Sequence, residues 1–99
     1  MNIQKMMKQA AQMQDRIQRE LAALEVEAAA GGGMVTVRMN GHKQLLGVNI
    51  EKDVLDPADP EMLQDLIVAA FNEANRKVEE AMREKMGSLA GGMGLPGMF

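Results

Sequence analysis

The stretch "GGGMVTVRMNGHKQLLGVNI", residues 31–50, decides the fold because it contains the signals of a small antiparallel sheet. Three glycines, residues 31–33, suit a tight connection into the strand that follows. That strand alternates apolar and polar residues, the period of a strand with one buried face. The pattern predicts one face made of Val35, Val37 and Met39 and an opposite face made of Thr36, Arg38 and Asn40.

The dipeptide Asn40-Gly41 ends this strand and predicts a hairpin. A two-residue turn of type I′ needs positive φ at both central residues, and Asn and Gly tolerate it best. A third strand is expected from Lys43 to about Lys52. Its predicted apolar face consists of Leu46, Val48 and Ile50.

The segment "LEVEAAA" before the glycines has two interpretations. Its alanines would extend the preceding helix, whereas Leu24 and Val26 alternate with glutamates as in a strand. We favour a short strand over residues 25–30, which completes a three-stranded antiparallel meander.

Residues 3–24 predict a long amphipathic helix of roughly 33 Å. No Gly or Pro interrupts it, and its apolar residues fall in a sector roughly 80° wide, which suits a helix with a single partner. The apolar stripe consists of Ile3, Met6, Ala10, Met13, Ile17, Leu21 and Leu24.

A second sector of this helix, roughly 80° wide, contains four basic residues with Gln12 among them. It contains no acidic residue, and the helix carries net +2 in a chain whose total is −3. Such a face is either an ordinary solvated surface or a ridge for phosphate groups, and the charges alone leave both open. The basic residues are Lys5, Lys8, Arg16 and Arg19.

A second helix is expected from residue 60 to residue 86. Asp59 suits the N-cap, Pro60 the first helical position and Gly87 the stop. Residues 1–87 then form a single α+β domain, and residues 88–99 a flexible tail rich in Gly and Met. The predicted buried side consists of Leu63, Leu66, Ile67, Ala70, Phe71, Ala74, Val78, Ala81 and Met82.

Composition limits the classes of protein. A 99-residue chain has a small core and often gains stability by association. The chain has no cysteine, no signal-peptide pattern and no apolar run longer than "LIVAAF", so we expect a soluble intracellular protein without disulfides or a membrane segment.

Catalytic signals are weak. The one histidine, His42, has no partner at metal-ligand spacing, and Ser88 has no histidine near it in sequence. The glycines at 31–33 precede a strand, so they do not form a phosphate loop at a helix N-terminus. We therefore predict no enzyme activity, no cofactor, no metal and no small-molecule substrate.

Three segments together resemble the YbaB/EbfC family of bacterial nucleoid-associated proteins. They are "MKQAAQMQDRIQRELAALEV", "GGGMVTVRMNG" and "DPEMLQDLIVAAFNEANRKVEEAMREKMGSLAGGMGLPG". The resemblance implies a cytoplasmic homodimer on the nucleoid, with helices that project like tweezers. It also implies binding to double-stranded DNA with little sequence preference, a change in DNA conformation, and roles in nucleoid organisation, gene regulation and DNA protection.

The resemblance directs attention to basic residues on the two projecting helices. The candidate DNA contacts are Lys5, Lys8, Arg16, Arg19, Arg76, Lys77 and Arg83. The third strand departs from many relatives, because "LLG" occupies positions that are often basic. Weaker candidates near it are Arg38, His42 and Lys43. The expected dimer interface is the apolar face of the sheet. It consists of Val35, Val37, Met39, Leu46, Val48 and Ile50.

The charge balance allows a second hypothesis. A dimer of net charge −6, twice −3, attracts DNA weakly at long range, so binding must depend on local basic ridges and on salt. An acidic dimer with methionine-rich grooves also suits a protein-binding adaptor or chaperone.

Overall fold

The computed structural model describes residues 2–92, with side chains through residue 88. Three strands form one antiparallel sheet in the order β1-β2-β3. The expected α+β order of helix, meander and helix is confirmed, including a strand at residues 25–30. The elements are α1 (Ile3–Ala23), β1 (Glu25–Ala30), β2 (Val35–Asn40), β3 (Leu45–Ile50), a 3₁₀ turn (Lys52–Val54) and α2 (Pro60–Gly92).

The core lies between α2 and two of the three strands. Ala28, Val37 and Val48 are paired across the sheet and therefore share one face. α2 packs on β1 and β2. It does so through small side chains four residues apart, since Ala70 and Ala74 are fully buried. Val48 of β3 is 44% exposed, so the same face of the sheet is covered over β1 and β2 but open over β3.

The three glycines form the tight connection that the sequence predicted, and the structure shows how. Gly31, Gly32 and Gly33 have φ of 63°, 68° and 96°, a region that L side chains rarely adopt. The backbone can therefore reverse between β1 and β2 within a short turn.

The predicted type I′ turn at Asn40-Gly41 is wrong. The backbone N–H of Asn40 donates to Gln44 at 3.1 Å, so the loop contains three residues, and Lys43 is the one that adopts positive φ, 63°. The Asn40 side chain explains the difference. Its Oδ1 accepts from the backbone N–H groups of His42 and Gln44 at 2.9 and 3.1 Å, which stabilises the longer loop.

A β-bulge changes the predicted face of β3. Arg38 pairs with Gly47 and Met39 with Leu45, so Leu46 is the extra residue. Val48 and Ile50 share a face as expected, but Leu45 takes the position opposite Met39 that the regular alternation assigns to Leu46. β3 is also shorter than the predicted 43–52.

The start of α2 agrees with the prediction, but its end does not. Asp59 Oδ1 accepts the backbone N–H of Met62 at 3.3 Å, and Pro60 is the first helical residue. The predicted stop at Gly87 is wrong, because the helix continues to Gly92. A glycine costs a helix only about 1 kcal/mol, which good helix formers around it offset. Part of the predicted tail, residues 88–92, is therefore helical, and the rest lies outside the described residues.

α1 is attached mainly at its C-terminal end. The backbone N–H of Gly41 donates to the carbonyl oxygens of Leu21 and Leu24 at 2.8 and 3.1 Å. No α1 residue is buried, and Ile3 is 68% exposed. The radius of gyration is 19.0 Å, against about 13 Å for a compact chain of this length. α1 therefore projects from the sheet.

The close approach at Gly41 predicts a large cost for any side chain there. A Cβ at Gly41 would lie 2.5 Å from the carbonyl oxygen of Leu21. We expect Gly41→Ala to lower the free energy of unfolding by about 1–3 kcal/mol, because backbone must move. Chemical denaturation followed by circular dichroism measures the change.

Gly87→Ala is the matched control. A Cβ at Gly87 meets nothing within 4 Å, and the residue is inside α2. We expect this substitution to stabilise the chain by about 0.5–1 kcal/mol. Equal effects of the two substitutions would contradict the close contact between Gly41 and α1.

Candidate nucleic-acid interface

The predicted basic face of α1 is a continuous exposed surface. Lys5 and Arg19 are 14 residues apart, which corresponds to about 21 Å along the axis. All four side chains are exposed. We call this surface the α1 ridge, defined by Lys5, Lys8, Arg16 and Arg19.

Most cations of the α1 ridge are free of carboxylates. Lys5, Lys8 and Arg19 form no ion pair with another described residue. Arg16 Nε lies 3.6 Å from Glu20 Oε1, and such an exposed pair is weak. The ridge is therefore available to external anions.

The candidates on α2 are mostly engaged within the chain. Arg76 binds Glu73 at 2.6 Å and Glu80 at 2.9 Å. The hydrogen bond from Arg76 lowers the pKa of Glu73, and the same pairing raises the pKa of Arg76. Lys77 Nζ donates to the backbone oxygen of Glu27 in β1 at 2.8 Å. Of the three, only Arg83 forms neither an ion pair nor a hydrogen bond through its side chain with a described residue.

The weaker candidates have different surroundings. Arg38 Nη1 lies 2.9 Å from Glu25 Oε1, and its guanidinium lies over Gly47, where a Cβ would be 3.1 Å from Nη2. Lys43 Nζ binds Glu79 Oε1 at 2.8 Å. His42 is exposed in the hairpin loop. A cation held by a carboxylate must exchange that partner to bind phosphate, which weakens Arg38 and Lys43 as candidates.

α1 and the distal part of α2 meet beside the hairpin. They enclose a cavity of about 50 Å³. Lys85 belongs to this group, and sequence reasoning missed it, because nothing in the local spacing of α2 indicates which residues lie beside α1. The lining residues are Ile17, Glu20, Leu21, Met82, Lys85 and Met86.

The fold buries one half of the predicted dimer face and leaves part of the other half exposed. Val35, Val37 and Met39 are at most 1% exposed within a single chain, because α2 covers them. They are core residues and are not accessible to a second copy, which corrects that half of the prediction. Leu46 and Val48 are 43% and 44% exposed. Ile50 is half-buried against the core.

The described residues contain neither a membrane span nor a metal-binding cluster. Within residues 2–92, no helix combines the length and apolarity needed to cross a bilayer. The same part of the chain contains no group of three or more His, Cys, Asp or Glu side chains placed to hold a metal ion.

The structure defines an α+β protein in which a small sheet carries a projecting helix with exposed cations. Comparison with known proteins names the family. The profile of the YbaB/EbfC DNA-binding family matches residues 1–93. The chain belongs to this family of nucleoid-associated DNA-binding proteins.

Individual relatives agree with this assignment. A nucleoid-associated protein of Clostridium novyi is 52% identical over 100% of this chain and 90% of its own length. One from Bacillus licheniformis is 52% identical over 99% of this chain and 94% of its own. A crystal structure of an uncharacterized protein from Helicobacter pylori has a similar fold, with a TM-score of 0.74 over 90% of this chain and 97% of that one at 22% identity.

The ion pair between Lys43 and Glu79 predicts that the pKa of Glu79 depends on Lys43. The hydrogen bond from Lys43 lowers the pKa of Glu79, so the pair stabilises the folded chain above the ordinary carboxyl pKa. That stabilisation disappears as the pH falls through the lowered value. We expect Lys43→Gln to raise the pKa of Glu79, as measured by NMR of the side-chain carboxyl.

Glu73 is the internal control for this titration. Its pKa is lowered chiefly by Arg76, so Lys43→Gln should leave it unchanged. An unchanged Glu79 titration in the variant would show that the ion pair does not form in solution.

Proposed function

We propose that this protein binds double-stranded DNA through phosphate contacts made by the α1 ridge. The observation that carries the proposal is a line of exposed cations, mostly without carboxylate partners, along about 21 Å of a projecting helix. A duplex rises about 3.4 Å per base pair, so the ridge is as long as about six base pairs.

The chemistry of the ridge supports binding without strong sequence preference. Lys and Arg contacts to phosphate position a protein but read no bases. The chain has no Trp or Tyr and two Phe, so stacking on single-stranded bases is disfavoured. The names of the relatives, nucleoid-associated proteins, support the same partner.

The proposed biological role follows from the binding of many copies of this protein to the DNA of one nucleoid. A homodimer carries two ridges at a fixed separation, and DNA bound to both must follow the path that this separation imposes. We propose roles in nucleoid organisation, with consequences for gene regulation and DNA protection. The cellular location in this proposal is the cytoplasm, on the nucleoid.

With a net charge of −3, the chain must bind DNA through local contacts between cations and phosphates, and such contacts are sensitive to salt. Long-range attraction between the whole protein and DNA is weak, so affinity depends on local counterion release. We expect duplex affinity to fall steeply as salt rises.

Replacing ridge lysines tests the proposal. We expect Lys5→Gln/Lys8→Gln to lower duplex affinity, because each lysine that binds a phosphate releases counterions from the DNA. The slope of log affinity against log salt should become shallower by about 1 for each phosphate that the variant no longer binds. Fluorescence anisotropy with a labelled duplex of mixed sequence, over a range of salt concentrations, measures both quantities.

The control double variant is Arg38→Gln/Arg76→Gln. It changes the net charge by the same two units at side chains already held by carboxylates. We expect a smaller loss of affinity and little change in slope. If both variants behave alike, general charge and not the α1 ridge accounts for binding. If the wild-type chain does not bind duplex at low salt, the adaptor hypothesis replaces this one.

The proposed homodimer uses the part of the sheet that α2 leaves open. Leu45, Leu46 and Val48 on β3 are each more than 40% exposed. Val68 and Phe71 are 58% and 40% exposed on α2. Around the helix axis, Val68 lies about 160° and Phe71 about 100° from the buried Ala70.

These two exposed groups lie on the same side of the sheet. Glu79, about 180° around α2 from Ala70, binds Lys43, which leads into β3. That flank of α2 therefore faces β3. Together the two groups form an apolar surface of the kind that joins subunits.

A charge in this surface should prevent association. We expect Val48→Asp to convert the dimer into a monomer at micromolar concentration, because an unpaired carboxylate would be buried between subunits. Sedimentation equilibrium measures the mass, and circular dichroism checks that the chain remains folded.

Leu55→Asp is the matched control. Leu55 is 56% exposed but lies after the 3₁₀ turn, outside the proposed surface. It should leave the dimer intact. A wild-type chain that sediments as a folded monomer would refute the homodimer.

A further inference from the structure

The contact between α1 and the distal part of α2 is small and rich in methionine. Met82 and Met86 line one side of the cavity between the helices, and Ile17 and Leu21 line the other. We call these four residues the arm seam. The other described contacts of α1 lie at its C-terminal end, where it meets β2 and accepts the hydrogen bonds from Gly41. The arm seam is the described contact between α1 and the distal part of α2.

Met86 combines two properties that no other described methionine shares. It is 50% exposed and it lines the arm seam. Met6 and Met7 are more exposed, at 52% and 66%, but do not line that cavity. Met39 is fully buried in the core. Met86 is therefore open to a small oxidant in the folded chain.

We propose that Met86 is a redox-sensitive modification site whose oxidation by a peroxide separates α1 from α2. The thioether sulfur attacks one peroxide oxygen, the O–O bond breaks, and the second oxygen leaves as water. The sulfur loses two electrons and becomes a sulfoxide, and the peroxide is reduced.

The sulfoxide is incompatible with the apolar side of the cavity. Its oxygen is a strong acceptor, whereas Ile17, Leu21 and Met82 have no side-chain donor. Burying an unpaired polar group costs free energy. Lys85, also at the cavity, is a donor that draws the sulfoxide toward solvent. The apolar packing between α1 and the distal part of α2 is thereby broken, and α1 keeps its contacts with β2 and Gly41 at its C-terminal end.

The first test measures reactivity. The full-length protein is treated with graded hydrogen peroxide, and each methionine is followed by peptide mass spectrometry. We expect Met86 to oxidise about ten times faster than Met39, because oxidation follows exposure. Similar rates for the two residues would overturn the proposal.

The second test measures the separation of the helices. The chain has no cysteine, so spin labels can be placed specifically at Gln14→Cys and Glu84→Cys, both exposed. Labelled chains diluted with unlabelled ones restrict the signal to distances within one chain. We expect peroxide to lengthen and broaden the distance distribution, and methionine sulfoxide reductase to reverse the change.

Two further variants assign the effect to one residue. Met86→Leu keeps the seam apolar and should abolish the response to peroxide. Met6→Leu/Met7→Leu removes the more exposed thioethers and should keep it. A response that persists in Met86→Leu, or that disappears in Met6→Leu/Met7→Leu, would overturn the proposal. Neither measurement uses DNA, so the result is independent of the proposed function.

Discussion

The packing of α2 on β1 and β2 through small side chains is the contact on which the rest of the structure depends. Ala70, Ala74 and Val78 are spaced four residues apart and are fully buried against the sheet. Alanines at the contact let the helix axis approach the sheet closely. A single helix covers about two strands at this distance, so β3 and the adjacent flank of α2 remain exposed. The proposed subunit interface results directly from this incomplete coverage.

The same arrangement explains why α1 projects. The sheet has one face covered by α2, and α1 is attached at the hairpin by Gly41, with a small seam against distal α2. Three of the four α1 ridge cations form no ion pair with a described residue, and the fourth, Arg16, has only a pair at 3.6 Å within its own helix. Arg76 and Arg38 are held more closely, at 2.6 and 2.9 Å, by glutamates of α2 and β1. The cations of the projecting helix are therefore freer to bind phosphate than those that pair within the body of the chain.

Local patterns predicted the elements well and their boundaries less well. The glycine run forms the tight connection that was predicted, with positive φ at all three residues, and Asp59-Pro60 starts α2 as capping chemistry predicts. The hairpin prediction at Asn40 failed because two interactions compete there. The Asn side chain accepts two backbone N–H groups of a three-residue loop, and Lys43 takes the positive φ in place of Asn40. The predicted stop at Gly87 failed because a glycine weakens a helix without ending it.

The sequence by itself determined the meander, the two long helices and the basic face of α1, because these follow from the periodicity of neighbouring residues. The family also follows from it, since the matching profile extends over residues 1–93. Only the tertiary structure decided which apolar faces are buried in one chain and which cations are already paired. Val37 and Val48 are the same residue type in similar alternating patterns, yet α2 covers Val37 and leaves Val48 exposed. The reason is physical: burial and ion pairing depend on contacts between residues far apart in the chain, and local spacing does not contain that information.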